Sequence, residues 1–278
     1  MDTPETTVSN RVGSGDSLRR CNRCFSPQTA GVRLRRCGGC STVVYCSLEC
    51  QKVQWPLHKP LCRAETTEDA AKVACYGYAS LGAFSRDLDD FMDAHEWAFR
   101  MLITMERQLQ RDRNPDVPFS ELPMLLRFSL RCQTTRSDTH QLRNPAMLFA
   151  LVSQTFEDLD AFARKNKNTY AQTASTRESA HRNFVREFPH YTGQIFAVEH
   201  RVPGTNHASM HFYPIETPLA PALGTPQQRR PISEDMVDFC KRSINDGFPM
   251  GMNVSGGFLA YPGTFVRLGK AICEEWES

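Results

Sequence analysis

The stretch CSLECQKVQWPLHKPLC, residues 46–62, holds three cysteines and one histidine, with Cys46 and Cys50 four apart and His58 and Cys62 four apart. Four residues is about one turn of α-helix, so each pair presents both side chains on a single helical face. Two further pairs precede them, Cys21-x2-Cys24 and, twelve residues later, Cys37-x2-Cys40. Eight thiol and imidazole groups make two tetrahedral sets, the closed coordination of structural zinc. Soft thiolates with one imidazole select zinc over magnesium or calcium, and a closed set leaves no position for catalysis. Spacing alone leaves open whether the two sets are sequential or interleaved.

The intervening residues suit this geometry. A two-residue gap curls the backbone into a knuckle, and in CGGC the gap is Gly38-Gly39, which can take positive φ at no steric cost. Ser47 can cap a short helix carrying Cys50, and Pro56 can start another carrying His58, with Pro60 still near that helix's first turn. The segment STVVYC reads as a strand entering Cys46. A segment of roughly forty residues buries too little apolar surface to fold alone, so metal must supply much of its folding free energy.

The pattern C-x2-C, C-x2-C, Y-C-x3-C-Q and W-x2-H-x3-C resembles the MYND zinc finger across residues 21–62. That resemblance implies interleaved sites, with Cys21, Cys24, Cys46 and Cys50 on one zinc and Cys37, Cys40, His58 and Cys62 on the other. It also implies a docking module for short proline-containing peptides of partner proteins, with a role in transcriptional regulation. The positions that line the peptide groove in that family match Gln51 and Trp55 here. A flat indole can pack on proline rings while an amide one turn away bonds an extended backbone. The alternative for Trp55 is a cover over the zinc core of a small module.

Cysteine usage and charge set the context. Of eleven cysteines, seven fall between residues 21 and 62, and Cys75, Cys132, Cys240 and Cys273 are scattered. The N-terminus MDTPETTVSN lacks the basic start and apolar run of a secretory signal, and no run approaches the ~18 apolar residues of a membrane span. The chain is therefore read as intracellular, where such cysteines serve metal or sit as buried small apolar groups. From Arg11 to Arg63, ten Lys or Arg face Asp16 and Glu49, whereas the remainder from Ala64 is mildly acidic. Two Zn²⁺ and seven thiolates offset about three of those positive charges, and no helix pairs a long basic face with base-reading residues, so DNA is not the expected partner.

Along the chain, residues 1–20 have little to bury and read as a disordered leader. The finger at 21–62 follows, then a helical region over 68–190 and an α+β region over 191–278 packed with it. The spacing of Phe84, Leu88, Phe91, Met92, His95, Phe99, Leu102, Ile103 and Leu109 predicts one long amphipathic helix ended by Asn114, Pro115 and Pro118. Helices are also predicted at Ser120–Cys132, at Pro145–Ala163 after an Asn144 cap, and more weakly at Ala171–Phe188. GQIFAVEHRV and ASMHFYPIE read as strands, Thr217–Pro231 as a proline-rich loop, Ser233–Ile244 as a helix and the Gly-rich end through Phe258 and Tyr261 as strand-like. The fold class expected is a small zinc-stabilised MYND-type finger plus a larger mixed domain, mainly α-helical and then α+β.

Enzymatic readings of the larger part are thinner. Asn206-His207 is similar to the asparagine-histidine step of SET methyltransferase cofactor sites, and some proteins join SET to a MYND finger. Here, however, only twenty residues precede the finger, no C-x-C cluster follows and no G-E-E-[LI]-x3-Y stretch is present. His207, Ser209 and His211 would share one strand face near His200, and are expected as surface histidines. Asp87, Asp89, Asp90 and Asp93 are expected on the solvated side of their helix. No residue after 63 takes a catalytic assignment.

Overall fold

A computed structural model describes residues 20–26, 31–40, 43–59, 62, 66–118, 125–133, 144–158, 161, 164–165, 174, 177–182, 184–186, 194–215, 225–252, 258–260, 264–268 and 271–275. The expected leader before residue 20, Pro60, Tyr261, and most of the Thr217–Pro231 loop lie outside them.

In the finger, β1 (Arg35–Arg36) pairs antiparallel with β2 (Val44–Tyr45), and the chain then enters α1 (Leu48–His58). Ser47 caps α1, its side chain accepting the Cys50 N–H at 3.1 Å. The second helix expected to start at Pro56 does not form: Pro56 lies inside α1, which runs on to His58. Its missing N–H forgoes one bond to the carbonyl four residues back. The turn closes regardless, because Lys59 N–H reaches the Trp55 carbonyl at 2.7 Å.

The body begins with α2 (Thr67–Ala74), held by a reciprocal capping box between Thr66 and Asp69. The apolar face predicted as one helix is divided into α3 (Leu81–Ala94) and α4 (Glu96–Arg113) at His95. His95 is fully buried and its Nε2 bonds the Ala146 carbonyl at 2.9 Å, so the break is fixed by a contact 51 residues away. Helix α4 ends at Asn114, as its terminating residues indicated.

Two predicted helices are strands. Ser120–Cys132 contains β3 (Leu125–Cys132), and Pro145–Ala163 gives a single 3-10 turn (Pro145–Met147) followed by β4 (Phe149–Glu157). The Asn144 cap is real, accepting the Ala146 N–H at 3.0 Å. Leu126, Phe128 and Leu130 alternate with Arg127, Ser129 and Arg131, a period of two that faces one sheet side, and FALVSQTFE is rich in β-branched and aromatic residues. With β5 (Gln194–Arg201) and β6 (Ala208–Ile215) these form a mixed sheet, order β4-β3-β5-β6, in which β3 and β5 run parallel and the other pairs antiparallel.

Helix α5 (Pro226–Asn245) starts earlier than expected, because Thr225 and Gln228 form a capping box around the first-turn Pro226. Four short strands pair beyond it as two hairpins: β7 (Met250–Met252) with β8 (Phe258–Ala260), and β9 (Thr264–Leu268) with β10 (Ala271–Glu275). The main core lies between the sheet and the α3, α4 and α5 layer, where Phe84, Phe91, Phe99, Phe128, Phe149 and Phe196 are fully buried. Leu125, Ile195, Ala197 and Phe212 face the opposite side and form a second cluster.

Candidate metal centre

The knuckles and α1 bring the eight predicted ligands into two groups, interleaved along the chain. One holds Cys21, Cys24, Cys46 and Cys50, the other Cys37, Cys40, His58 and Cys62, and within each the ligand atoms all lie within 4.8 Å of one another. Sulfurs at about 2.3 Å from one tetrahedral ion stand about 3.8 Å apart. Here Cys24 and Cys46 are 3.4 Å apart, Cys46 and Cys50 3.5 Å, Cys37 and Cys62 3.7 Å, and Cys40 Sγ lies 3.6 Å from His58 Nε2. The donor chemistry and these separations fit two structural zinc ions.

Protons show what the ions would displace. The hydrogen bond with Cys21 holds the Cys24 thiol down to about 4, and the same bond together with burial pushes the Cys21 thiol up. Burial and the contact with Cys37 raise Cys62 to about 12. Four clustered sulfurs compete for protons that zinc replaces, so binding releases protons and stiffens each knot.

Neighbouring residues support the sites, and of these Tyr45 and Gln54 were not singled out from sequence. The Gly38-Gly39 gap does not use the positive φ open to glycine, and the constraint at Gly39 is space: a Cβ there would stand 2.8 Å from Cys62 Sγ, whereas one on Gly38 meets nothing within 4 Å. Tyr45 is buried beside His58, ring centroids 6.3 Å apart, and Gln54 is buried on α1 between the ligands Cys50 and His58. Gln51 is half-buried, and its amide donates to Cys37 Sγ at 3.8 Å. Trp55 is 39% exposed, and the rest of its indole leans on the His58 ring.

Other sequence expectations change in the body. His200 and His207 are buried rather than at the surface; His200 packs among Phe99, Phe128 and His211 with both ring nitrogens lacking a hydrogen bond, and His207 stands edge-on to Phe84. Ser209 and His211 do share a strand face and meet at 2.9 Å. Asn206 donates to Asp69 and accepts from Lys72, each at 2.9 Å, a structural staple between the β5–β6 connection and α2. Asp89 and Asp90 are buried, Asp89 because Arg36 of the finger pairs with it. Of the scattered cysteines, Cys240 is buried as expected, Cys132 is half-buried and Cys75 is exposed.

The family model of the MYND finger matches residues 16–62. The chain is 42% identical over 62 residues to the N-lysine methyltransferase SMYD2 of Gallus gallus, covering 22% of this chain and 12% of that protein. It is 41% identical over 49 residues to SET domain-containing protein 14 of Caenorhabditis elegans, covering 18% and 11%. With histone-lysine N-methyltransferase ASHR1 of Arabidopsis thaliana the identity is 38% over 69 residues, covering 25% and 13%. The chain thus spans about a tenth of the length of these relatives, and the likeness is to the finger. No solved structure matches. Among the described residues no helix is long and apolar enough to cross a membrane.

Proposed function

We propose that this is an intracellular docking protein in which the finger, residues 21–62, captures short proline-containing segments of partner proteins, in the service of transcriptional regulation. Cys21, Cys24, Cys46 and Cys50 hold one zinc, and Cys37, Cys40, His58 and Cys62 the other; the regions 68–190 and 191–278 form the body that carries the finger. The ions do no chemistry in this reading. They hold α1 at a fixed angle so that one of its flanks is presented as a rigid surface.

The observation that carries the reading is the exposure of Trp55 on a helix whose adjoining side is locked into the metal sites. Leu48, at 56% exposure, Gln51 and Trp55 follow at intervals of three and four, and so share one flank of α1. Large aromatics at the centre of small interfaces are frequent anchors. The second tetrad, three cysteines and His58, sits directly beneath and is touched by Gln51 and Trp55, so the anchor has little freedom to lose on binding.

A SET-like methyltransferase is not favoured, because the methyltransferase relatives match only the finger and Asn206 is committed to Asp69 and Lys72. The test is fluorescence titration of the zinc-loaded full chain with a panel of proline-containing peptides. Saturable binding that Trp55→Ala weakens by about thirtyfold supports docking at α1. Binding unaffected by that substitution, or no binding across the panel, rejects it.

A further inference from the structure

The finger is attached to the body through residues that sit beside its metal ligands. Arg23 directly precedes Cys24 and Phe25 directly follows it; Arg36 directly precedes Cys37. Arg23 donates to Ser179 Oγ at 3.3 Å, and Arg36 pairs with Asp89 and donates to Ser85 Oγ at 3.0 Å on α3. Phe25 is buried, with its ring 6.2 Å from that of Phe212 and in one apolar cluster with Leu125, Ile195 and Ala197. Since α3 lies on one side of the sheet and this cluster on the other, the finger holds the body from both faces.

Phe25 shows that this contact shapes the knuckle. Its φ is 63°, and among the described residues no other non-glycine has positive φ. The knuckle demands that conformation, because Phe25 N–H closes onto the Cys21 carbonyl and, one residue on, the Ser26 carbonyl turns back to accept the Cys21 N–H, each at 2.9 Å. Glycine would meet the demand without steric cost, whereas a side chain there is strained. A bulky aromatic in such a place is explained by what the ring touches: Phe212 on the body, and the Arg20 guanidinium 5.3 Å from its centroid.

We infer that the finger and body form a metal-dependent clamp, in which the first tetrad holds Phe25 against the sheet, the second holds Arg36 against α3, and loss of zinc loosens the β5–β6 face of the body. The inference rests on reading both tetrads as zinc sites, and is independent of whether α1 binds peptide. Basic residues of the finger are then partly committed to the acidic body, which is a physical reason for the charge asymmetry of the chain. Coupling of this kind is reciprocal: whatever zinc does for the sheet, the sheet must do for zinc retention.

Hydrogen exchange on the full chain tests it, with zinc content followed by native mass spectrometry. Chelation should raise exchange across Gln194–Arg201 and Ala208–Ile215 by about tenfold. Phe25→Gly relieves the backbone strain and deletes the ring, so it should keep two zincs and show the same rise. Unchanged exchange in those strands after chelation, or wild-type exchange in a zinc-replete Phe25→Gly, overturns the clamp. Phe212→Ala removes the contact from the body side, and reads the coupling in reverse even if the first variant loses metal. It should speed zinc release to a chromogenic chelator by about tenfold, and wild-type release would likewise overturn the proposal.

Discussion

The indole of Trp55 stands edge-on to the imidazole of His58, ring centroids 5.8 Å apart at 64°, so the most prominent exposed aromatic of α1 rests on a ligand of the second tetrad. One part of the side chain thus covers the metal site, and the proposed docking would use the exposed remainder. Trp55→Ala should weaken peptide capture by about 2 kcal/mol, roughly thirtyfold in Kd, while native mass still shows two zincs. Zinc release from the second tetrad should be faster than in the wild type, which stopped-flow chelation would resolve as a change in one of two phases.

Gly38 and Gly39 are adjacent yet have opposite tolerances. A Cβ at Gly39 would stand 2.8 Å from Cys62 Sγ, and a metal-bound sulfur cannot retreat without distorting its tetrahedron. Gly39→Ala should lose one zinc of two or bind it far more weakly. Gly38→Ala has open space and should keep both. Equal zinc content in the two variants would contradict the geometry.

Metal stoichiometry is the most direct check on the finger. Intact mass under native conditions should show two zincs per chain, and chelation should unfold residues 21–62, since so small a segment has little else to hold it. Finding one zinc, none, or cysteines cross-linked to each other would reject the two tetrads.

Buried histidines in the body make stability depend on pH. Burial lowers both His95 and His207 from 6.5 to about 4, the first against a hydrogen bond to the Ala146 carbonyl, the second against the pull of Asp89 and with the push of Arg36. The folded state keeps these rings neutral, and the unfolded chain binds protons sooner. Between about pH 6.5 and 4 the unfolded state therefore holds more protons, and stability falls as pH falls, by up to about 3 kcal/mol per histidine. Denaturant melts at pH 7 and pH 5 should show this loss, and His95→Gln should reduce the difference between them. An unchanged difference in that variant would show that His95 is not the group responsible.

Local patterns in the sequence were enough for some elements and misleading for others. The capped α1, the strands β5 and β6 and the end of α4 at Asn114 each follow from residues within a few positions. Leu125 and Leu126 followed by Phe128 and Leu130 satisfy a helical stripe almost as well as a strand, and pairing with β4 and β5, tens of residues away, selects the strand. Asn144-Pro145 is a true start signal, but the β-rich sequence after it takes over within one turn. At His95 no local signal breaks the helix, because the partner that fixes the break is the Ala146 carbonyl.

The sequence by itself determined that eight ligand side chains would form two metal-binding sets, since chelate spacing is a property of a few consecutive residues and their local turns. Which pairs share a set was left open by spacing and implied by the family resemblance, and the structure groups them so; only the tertiary structure decided why Gly39 must lack a side chain, and where Phe25, Arg36, Asp89 and the buried histidines belong. Those outcomes depend on surfaces that meet across long stretches of chain, and burial, unlike spacing, is not written in any one segment.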